Sequence, residues 1–332
     1  MKKVVLGFSG GVDSAVCAKL LKDSGFDVHG LYMDNTDERS LADAVNTARF
    51  IGIPLEVRDV HAQLEERVCS RFAESYLRGE TPNPCIICNP TLKFKTLLDF
   101  ADEIGADNIA TGHYARAENG VLYKGMPSND QSYMLCLVTR AQARRLVLPL
   151  GGYIKRDVRA LAAQFGLSQA EKPDSMEICF IKGGSFDEWI DSRGHAPGEG
   201  ALIYRGERVG THGGVHRYTL GQRRGLGFAA GRRVFVSEIR PETNEVVLSD
   251  GDGLYMEHIR TGEANWLITP PRGDFRCEVR VRHSRDLTLA TARSVDGALE
   301  IDFDKPVRAP VPGQAAALYA GGMLIAGGII AP

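Results

Sequence analysis

The chain has 332 residues, 43% hydrophobic and 25% charged, with a formal net charge of −2. That length supports about two or three domains with real cores, and the balance is that of an ordinary soluble globular chain, not a disordered or collagen-like one. No apolar stretch approaches the length of a spanning helix, and Met1-Lys2-Lys3-Val4 runs straight into a strand with no room for a signal peptide, so a cytoplasmic protein without a membrane partner is expected.

Residues 4–8 form an apolar run that predicts a buried strand, and residues 15–24 predict a helix with Val16, Leu20 and Leu21 inward. Between them stands Ser9-Gly10-Gly11-Val12-Asp13-Ser14. Glycine pairs take backbone angles closed to other residues, so successive amide N–H groups can face one anion at the positive end of the following helix. Ser9 and Ser14 add hydroxyls. No Lys-Ser/Thr pair follows, which excludes a Walker A loop, and the three-glycine spacing of a dinucleotide fingerprint is missing. Strands at residues 28–33, 55–57 and 108–111 and a helix at 41–51 continue the alternation, which implies a parallel sheet covered on both faces, with its ligand site beyond the carboxyl ends of the strands. From about Gly194 the texture changes to short alternating runs at 232–239, 276–282 and 299–303 between Gly, Pro and Asp turns, the pattern of a β-barrel. Residues 196–206 read as a linker, with a second division near Tyr255.

Seven cysteines read as thiols, ligands or catalytic groups and not as a disulfide framework. Cys85 and Cys88 follow the proline-stiffened Thr81-Pro82-Asn83-Pro84 and suit a metal, an iron-sulfur cluster or redox work. A structural zinc site needs a second pair, and only Cys179 offers a third thiol; three ligands favour chemistry over scaffolding. Cys17, Cys69, Cys136 and Cys277 lie in segments that read as core. Residues 201–240 carry eight arginines against two glutamates, which fits either a grip on a phosphate backbone or a solvated face.

Together these pieces resemble the tRNA-specific 2-thiouridylases of the ATP-pyrophosphatase group, which put sulfur on the wobble uridine. The matching runs are residues 9–14, 81–89 with Lys93-Phe94, 110–116, Asp130-Gln131-Ser132-Tyr133, 172–181, 218–227 and Pro312-Gly313-Gln314. The resemblance implies a doubly wound α/β PP-loop domain at 1–193, a small β-rich tRNA-binding domain at 194–255 and a C-terminal β-barrel at 256–332. It implies that Gly7, Phe8, Ser9, Gly10, Gly11, Val12, Asp13, Ser14, Met33 and Gly112 bind ATP, with Asp13 assisting through Mg²⁺. Asn83, Pro84 and the residue at 85 would meet the target base, while His113, Asn129, Asp130, Gln131, Arg282, His283 and Gln314 would touch tRNA. Cys88 matches the nucleophile and Cys179 the cysteine that carries persulfide sulfur, which would either attack the activated carbon itself or leave as sulfide after attack by Cys88, the two thiols ending as a disulfide. The implied partners are the anticodon loop of wobble-uridine tRNAs and a sulfur donor (a cysteine desulfurase, a relay protein or free sulfide), with the protein by itself a monomer.

Position 85, commonly Asp in this family and serving there as acid or base, is Cys85. Cys85, Cys88 and Cys179 together could hold three irons of a [4Fe-4S] cluster, the fourth binding hydrosulfide. The segment after Met33 is short for the family, Glu177 replaces a Gly, and Arg282-His283 replaces Arg-Tyr. Two other readings compete. A ligase or amidotransferase adenylating a small molecule leaves the cysteines and the basic stretch without a job, and a silent RNA-binding protein with a zinc-stapled loop leaves the phosphate loop without one.

Overall fold

The structure, a computed structural model, describes residues 1–35, 38–171, 178–283 and 286–332, with only the main chain for residues 38, 39 and 252. The first part contains strands β1 (Lys3–Gly7), β2 (Asp27–Asp34), β3 (Leu55–Asp59), β4 (Asn108–Ala110), β5 (Ala115–Glu118), β6 (Val121–Lys124) and β7 (Leu146–Val147). Five of them form a parallel sheet in the order β3-β2-β1-β4-β7. β1 has Val4, Val5 and Leu6 all fully buried, as a central strand covered on both faces requires. The strand order reverses between β1 and β4, so the loops leaving them part there and open the crevice where α/β sheets bind ligands.

The helix after β1 spans Val12–Asp23 and begins earlier than residue 15. The phosphate loop therefore runs directly into its first turn and carries Asp13 and Ser14 on the helix itself. The hairpin β5–β6 leaves the parallel sheet altogether: β6 pairs with a strand of the C-terminal barrel at Tyr123↔Met323. Its turn, Asn119-Gly120, has φ of +53° and +78°, the Asn-Gly signature of a tight hairpin.

Strands β8 (Gly200–Tyr204), β9 (Glu207–His212), β10 (Phe235–Arg240) and β11 (Glu245–Ser249) form a second sheet in the order β10-β11-β8-β9. Arg232 and Arg233, expected on a strand, precede β10 and are exposed. The last sheet contains β12 (Tyr255–Glu263), β13 (Asn265–Trp266), β14 (Phe275–Arg280), β15 (Thr288–Val295), β16 (Ala298–Arg308), β17 (Ala315–Ala320) and β18 (Met323–Ile329). A bridge from Thr261 on β12 to Ile330, just past β18, closes it into a barrel. The barrel is tied to the first part by a buried ion pair: Arg280 donates to Asp130 at 2.9 Å, both side chains 5% exposed. No helix among the described residues is long and apolar enough to cross a membrane.

Candidate active site

The phosphate loop is shaped by one residue that only glycine satisfies. Gly10 has φ +73°, and a Cβ there would stand 2.6 Å from Ala44 Cα of the Glu38–Ile51 helix. Gly11 caps the Val12–Asp23 helix, and no side chain bonds to the cap. The amide groups of the first turn, which have no acceptor within a helix, are thus left to an anion. Ser9 Oγ lies 3.3 Å from Ser14 Oγ, which donates to Gly11 O at 3.0 Å. Phe8 is a core side chain, 1% exposed, while its main chain continues the β2 pairing by donating to Leu31 O. Gly112, just past β4, is held so close that a Cβ there would stand 3.1 Å from Asp13 Cβ, so the expected nucleotide residues from both loops do meet.

Asp13 is not a free carboxylate. Lys155 Nζ reaches both its oxygens at 2.8 Å, and Tyr114 donates to Oδ1 at 2.6 Å. Tyr114 stands in the run 110–116, whereas only the fold brings Lys155, at the start of the Lys155–Gln164 helix, to Asp13.

The cysteines lie off the ends of β2 and β4. Asn83 caps the short Pro84–Cys88 helix by accepting from Cys85 N at 3.2 Å, with Pro84 in the first-turn position it favours. Cys85 and Cys88, one turn apart, share a face; Cys85 is exposed and Cys88 half-buried. The chain then takes a π-helical turn, Asn89–Lys93, with Asn89 donating to Met134 O at 2.8 Å. Such turns often mark functional sites. Met33 and Cys88 pack on the apolar floor formed by Val68, Cys69 and Leu92. Asn35, just past β2, points its amide at Cys179 Sγ, 3.8 Å away. Burial pushes the Cys88 thiol up to about 11, and the Lys93 ammonium pulls it back down. Burial also raises Cys179, again opposed by Lys93. His113 donates or accepts at Thr111 Oγ1, 2.7 Å away, and burial and then Lys93 hold its pKa well below the usual range, so it is neutral.

The carboxyl ends of β1, β2 and β4 thus carry the phosphate loop, the Cys179 neighbour and His113 into one region. Among the described residues, no group of three or more His, Cys, Asp or Glu side chains is gathered closely enough to hold a metal ion. The expected triad of Cys85, Cys88 and Cys179 is therefore not drawn together as a ligand set. Residues 172–177, including Glu177, lie outside the described residues. Cys17, Cys69, Cys136 and Cys277 are buried.

The residues expected at RNA divide into two groups. Asp130 is consumed by Arg280 and by the N–H groups of Gly125 and Ser132, and Gln131 accepts from Tyr114 N at 3.0 Å. Their side chains build the fold, which leaves outward contacts to half-buried Asn129 and to exposed Arg282 and His283. Gln314 is half-buried between Tyr133 and Thr81. In the basic stretch Arg205, Arg217, Arg232 and Arg240 have carboxylate neighbours. Arg208, Arg223, Arg224 and Arg233 are exposed with no carboxylate partner among the described residues.

Residues 2–183 match the family described as tRNA methyl transferase HUP domain, 191–250 its PRC-barrel domain, and 256–330 the aminomethyltransferase beta-barrel domain. The chain is 38% identical over 348 residues to the tRNA-specific 2-thiouridylase MnmA of Syntrophotalea carbinolica, covering 99% of each chain. It belongs to the tRNA-specific 2-thiouridylase family. Other family members are similarly close: that of Lachnoclostridium phytofermentans is 38% identical with 99% of each chain covered, and that of Rickettsia massiliae 37% identical with 98% and 96% covered. Within this family member, Lys93, Tyr114, Lys155 and Met134 are the site neighbours that sequence reasoning missed. Lys93 and Tyr114 stand within the matching runs, which was their signal; Lys155 and Met134 had none.

Proposed function

We propose that this protein 2-thiolates the wobble uridine of tRNA at the expense of ATP. The observation that carries this reading is a phosphate cradle at the end of β1 with, at the end of the neighbouring β2, Cys88 on the same apolar floor as Met33 and Cys179 beside Asn35. A carbonyl oxygen is a very poor leaving group. The uracil O2 therefore attacks the α phosphorus of ATP, the α–β anhydride bond breaks, pyrophosphate leaves, and the base becomes an adenylate. The terminal sulfur of a Cys179 persulfide then attacks C2 and AMP departs with the former O2. Attack by the Cys88 thiolate on Cys179 Sγ breaks the S–S bond, frees 2-thiouridine and leaves a Cys88–Cys179 disulfide, which an external dithiol reduces. The two-electron change is balanced by oxidation of the pair. The base reaches the thiols only if it is flipped out of its stack.

Within this scheme the first-turn amides, Ser9 and Ser14 hold the phosphates, with Gly112 against the nucleotide. Asp13 is the residue to hold Mg²⁺, which when bound offsets phosphate charge; a single carboxylate plus phosphates is how this ion is usually held. Taking Asp13 would free Lys155 for a phosphate oxygen. Neutral His113 and Asn83 stand where a base would enter. Arg223, Arg224 and Arg233, with Arg282 and His283, supply the outward cationic and aromatic surface for tRNA.

A second reading of sulfur delivery rests on Cys85 in place of the family's Asp. The three thiols have the right chemistry for a [4Fe-4S] cluster, but the described residues do not gather them, and no step is routed through it. Anaerobic purification separates the two. Protein free of iron and acid-labile sulfide that still thiolates tRNA from a persulfide donor, and loses this with Cys179→Ala, is the expected result. About four irons lost on Cys85→Asp would replace the thiol-exchange route with the cluster. Pyrophosphate release stimulated by a small metabolite and not by tRNA would overturn the proposed substrate.

A further inference from the structure

Thr81 bonds to residues of both later parts of the chain. Its N–H donates to Pro312 O at 2.8 Å, and its carbonyl accepts from Gln314 Nε2 at 2.7 Å, so both main-chain groups are taken by the turn that leads into β17. Its hydroxyl faces Thr219 Oγ1 of the middle part at 3.1 Å. Gln314 is itself held, with Oε1 3.3 Å from the Tyr133 hydroxyl, which also accepts from Ala315 N at 3.2 Å. Gly313 has φ +90°, and a Cβ there would stand 3.0 Å from both Glu80 Cβ and Thr81 N. No slack separates the barrel turn from the chain at 80–81.

This contact lies directly upstream of the cysteine turn. Pro82 and Pro84, each with a fixed φ, flank Asn83, whose side chain caps the Pro84–Cys88 helix. A stiff link of this kind transmits a displacement at Thr81 to Cys85 and Cys88 and does not absorb it. We propose that Gln314 and Gly313 are positioning residues for sulfur transfer: through Thr81, the C-terminal barrel sets where the Cys85–Cys88 turn stands. The inference rests on the function proposed above for those cysteines and adds a role for Gln314 that needs no RNA.

The test is site-resolved alkylation of the full-length protein by iodoacetamide, without tRNA or ATP, read by peptide mass spectrometry. Gln314→Met should raise the alkylation rate of half-buried Cys88 about fivefold, the scale of one lost hydrogen bond, and Gly313→Ala should raise it too, while exposed Cys85 reacts as before and buried Cys17 and Cys277 stay protected. In thiolation, Gly313→Ala should lower kcat with little change in KM for tRNA, since it removes no RNA-facing side chain. An unchanged rate at Cys88 in both variants would overturn the proposal, as would a rise shared by Cys17 and Cys277. If no thiolation is found in the wild-type protein, the function fails while the alkylation result still stands on its own.

Discussion

Replacing Gly10 by alanine separates the two demands on the phosphate loop. A left-handed backbone costs an L-residue about 1–2 kcal/mol. The added Cβ would also stand 2.6 Å from Ala44 Cα and 2.8 Å from Ala44 N, main-chain atoms of a helix whose Ala44 is fully buried and has nowhere to retreat. Overpacking of this kind costs about 1–3 kcal/mol, giving a total of about 2–5 kcal/mol. Gly25→Ala is the control, because Gly25 has φ +82° but nothing within 4 Å of its Cβ position. Its loss should be the conformational part alone. Scanning calorimetry should therefore place the catalytic-domain transition of Gly10→Ala several degrees below that of Gly25→Ala, at about 2–4 °C per kcal/mol for a unit of this size. Nucleotide affinity should fall with it, since relief of the clash turns the amide groups away from their common focus. Equal melting temperatures for the two variants would refute the close approach as the reason for Gly10.

Two further outcomes follow from charge. Arg223→Ala with Arg224→Ala should weaken tRNA binding and flatten the dependence of log K on log salt by about 1.4–1.8, two phosphate contacts' worth; an unchanged slope in a filter-binding titration would make that loop a solvated face. Burial depresses the pKa of both His212 and His216, the latter bonded through Nε2 to Asp191 at 2.9 Å. A depressed histidine pKa means that the unfolded chain binds more protons, so the stability they contribute is present above the unfolded value of about 6.5 and is lost as pH falls through the folded values. Unfolding of the middle part should thus need less denaturant at about pH 5.5 than at about pH 7.5, and His216→Gln should reduce the difference. The same midpoint at both pH values in the wild-type protein would count against it.

The parts of this site that were legible in the sequence are the ones built by short-range chemistry. A strand breaking into Gly10-Gly11 and a helix announces an anion cradle, and Cys85 and Cys88 share a helix face whatever surrounds them. The hairpin at 115–124 formed no part of the sequence reading, and its pairing with the barrel is decided by a strand some two hundred residues later in the chain. The partners that decide what each group can do are the distant ones. Lys155 meets Asp13 across 142 residues, Arg280 meets Asp130 across 150, and Gln314 meets Thr81 across 233. No local pattern encodes such pairs; Asp130 and Gln131 look like surface polar residues in sequence and are consumed by the interior.

On the proposed sulfur route, exposure orders the events at the thiols. A sulfur donor must reach its acceptor from solution, and Cys179 is exposed, with the Asn35 amide 3.8 Å from its sulfur. Cys88 is half-buried on the apolar floor with its pKa pushed up to about 11, so at neutral pH it is a thiol and a weak nucleophile toward incoming donors. On that route the combination would protect Cys88 until a persulfide stood next to it. Lys93, whose ammonium acts on both sulfurs, then favours the charged form of whichever is attacking. Cys85, exposed one turn from Cys88, has no such shelter. It meets solution thiols and metals directly, which is why replacing it by Asp tests the sulfur route without disturbing half-buried Cys88.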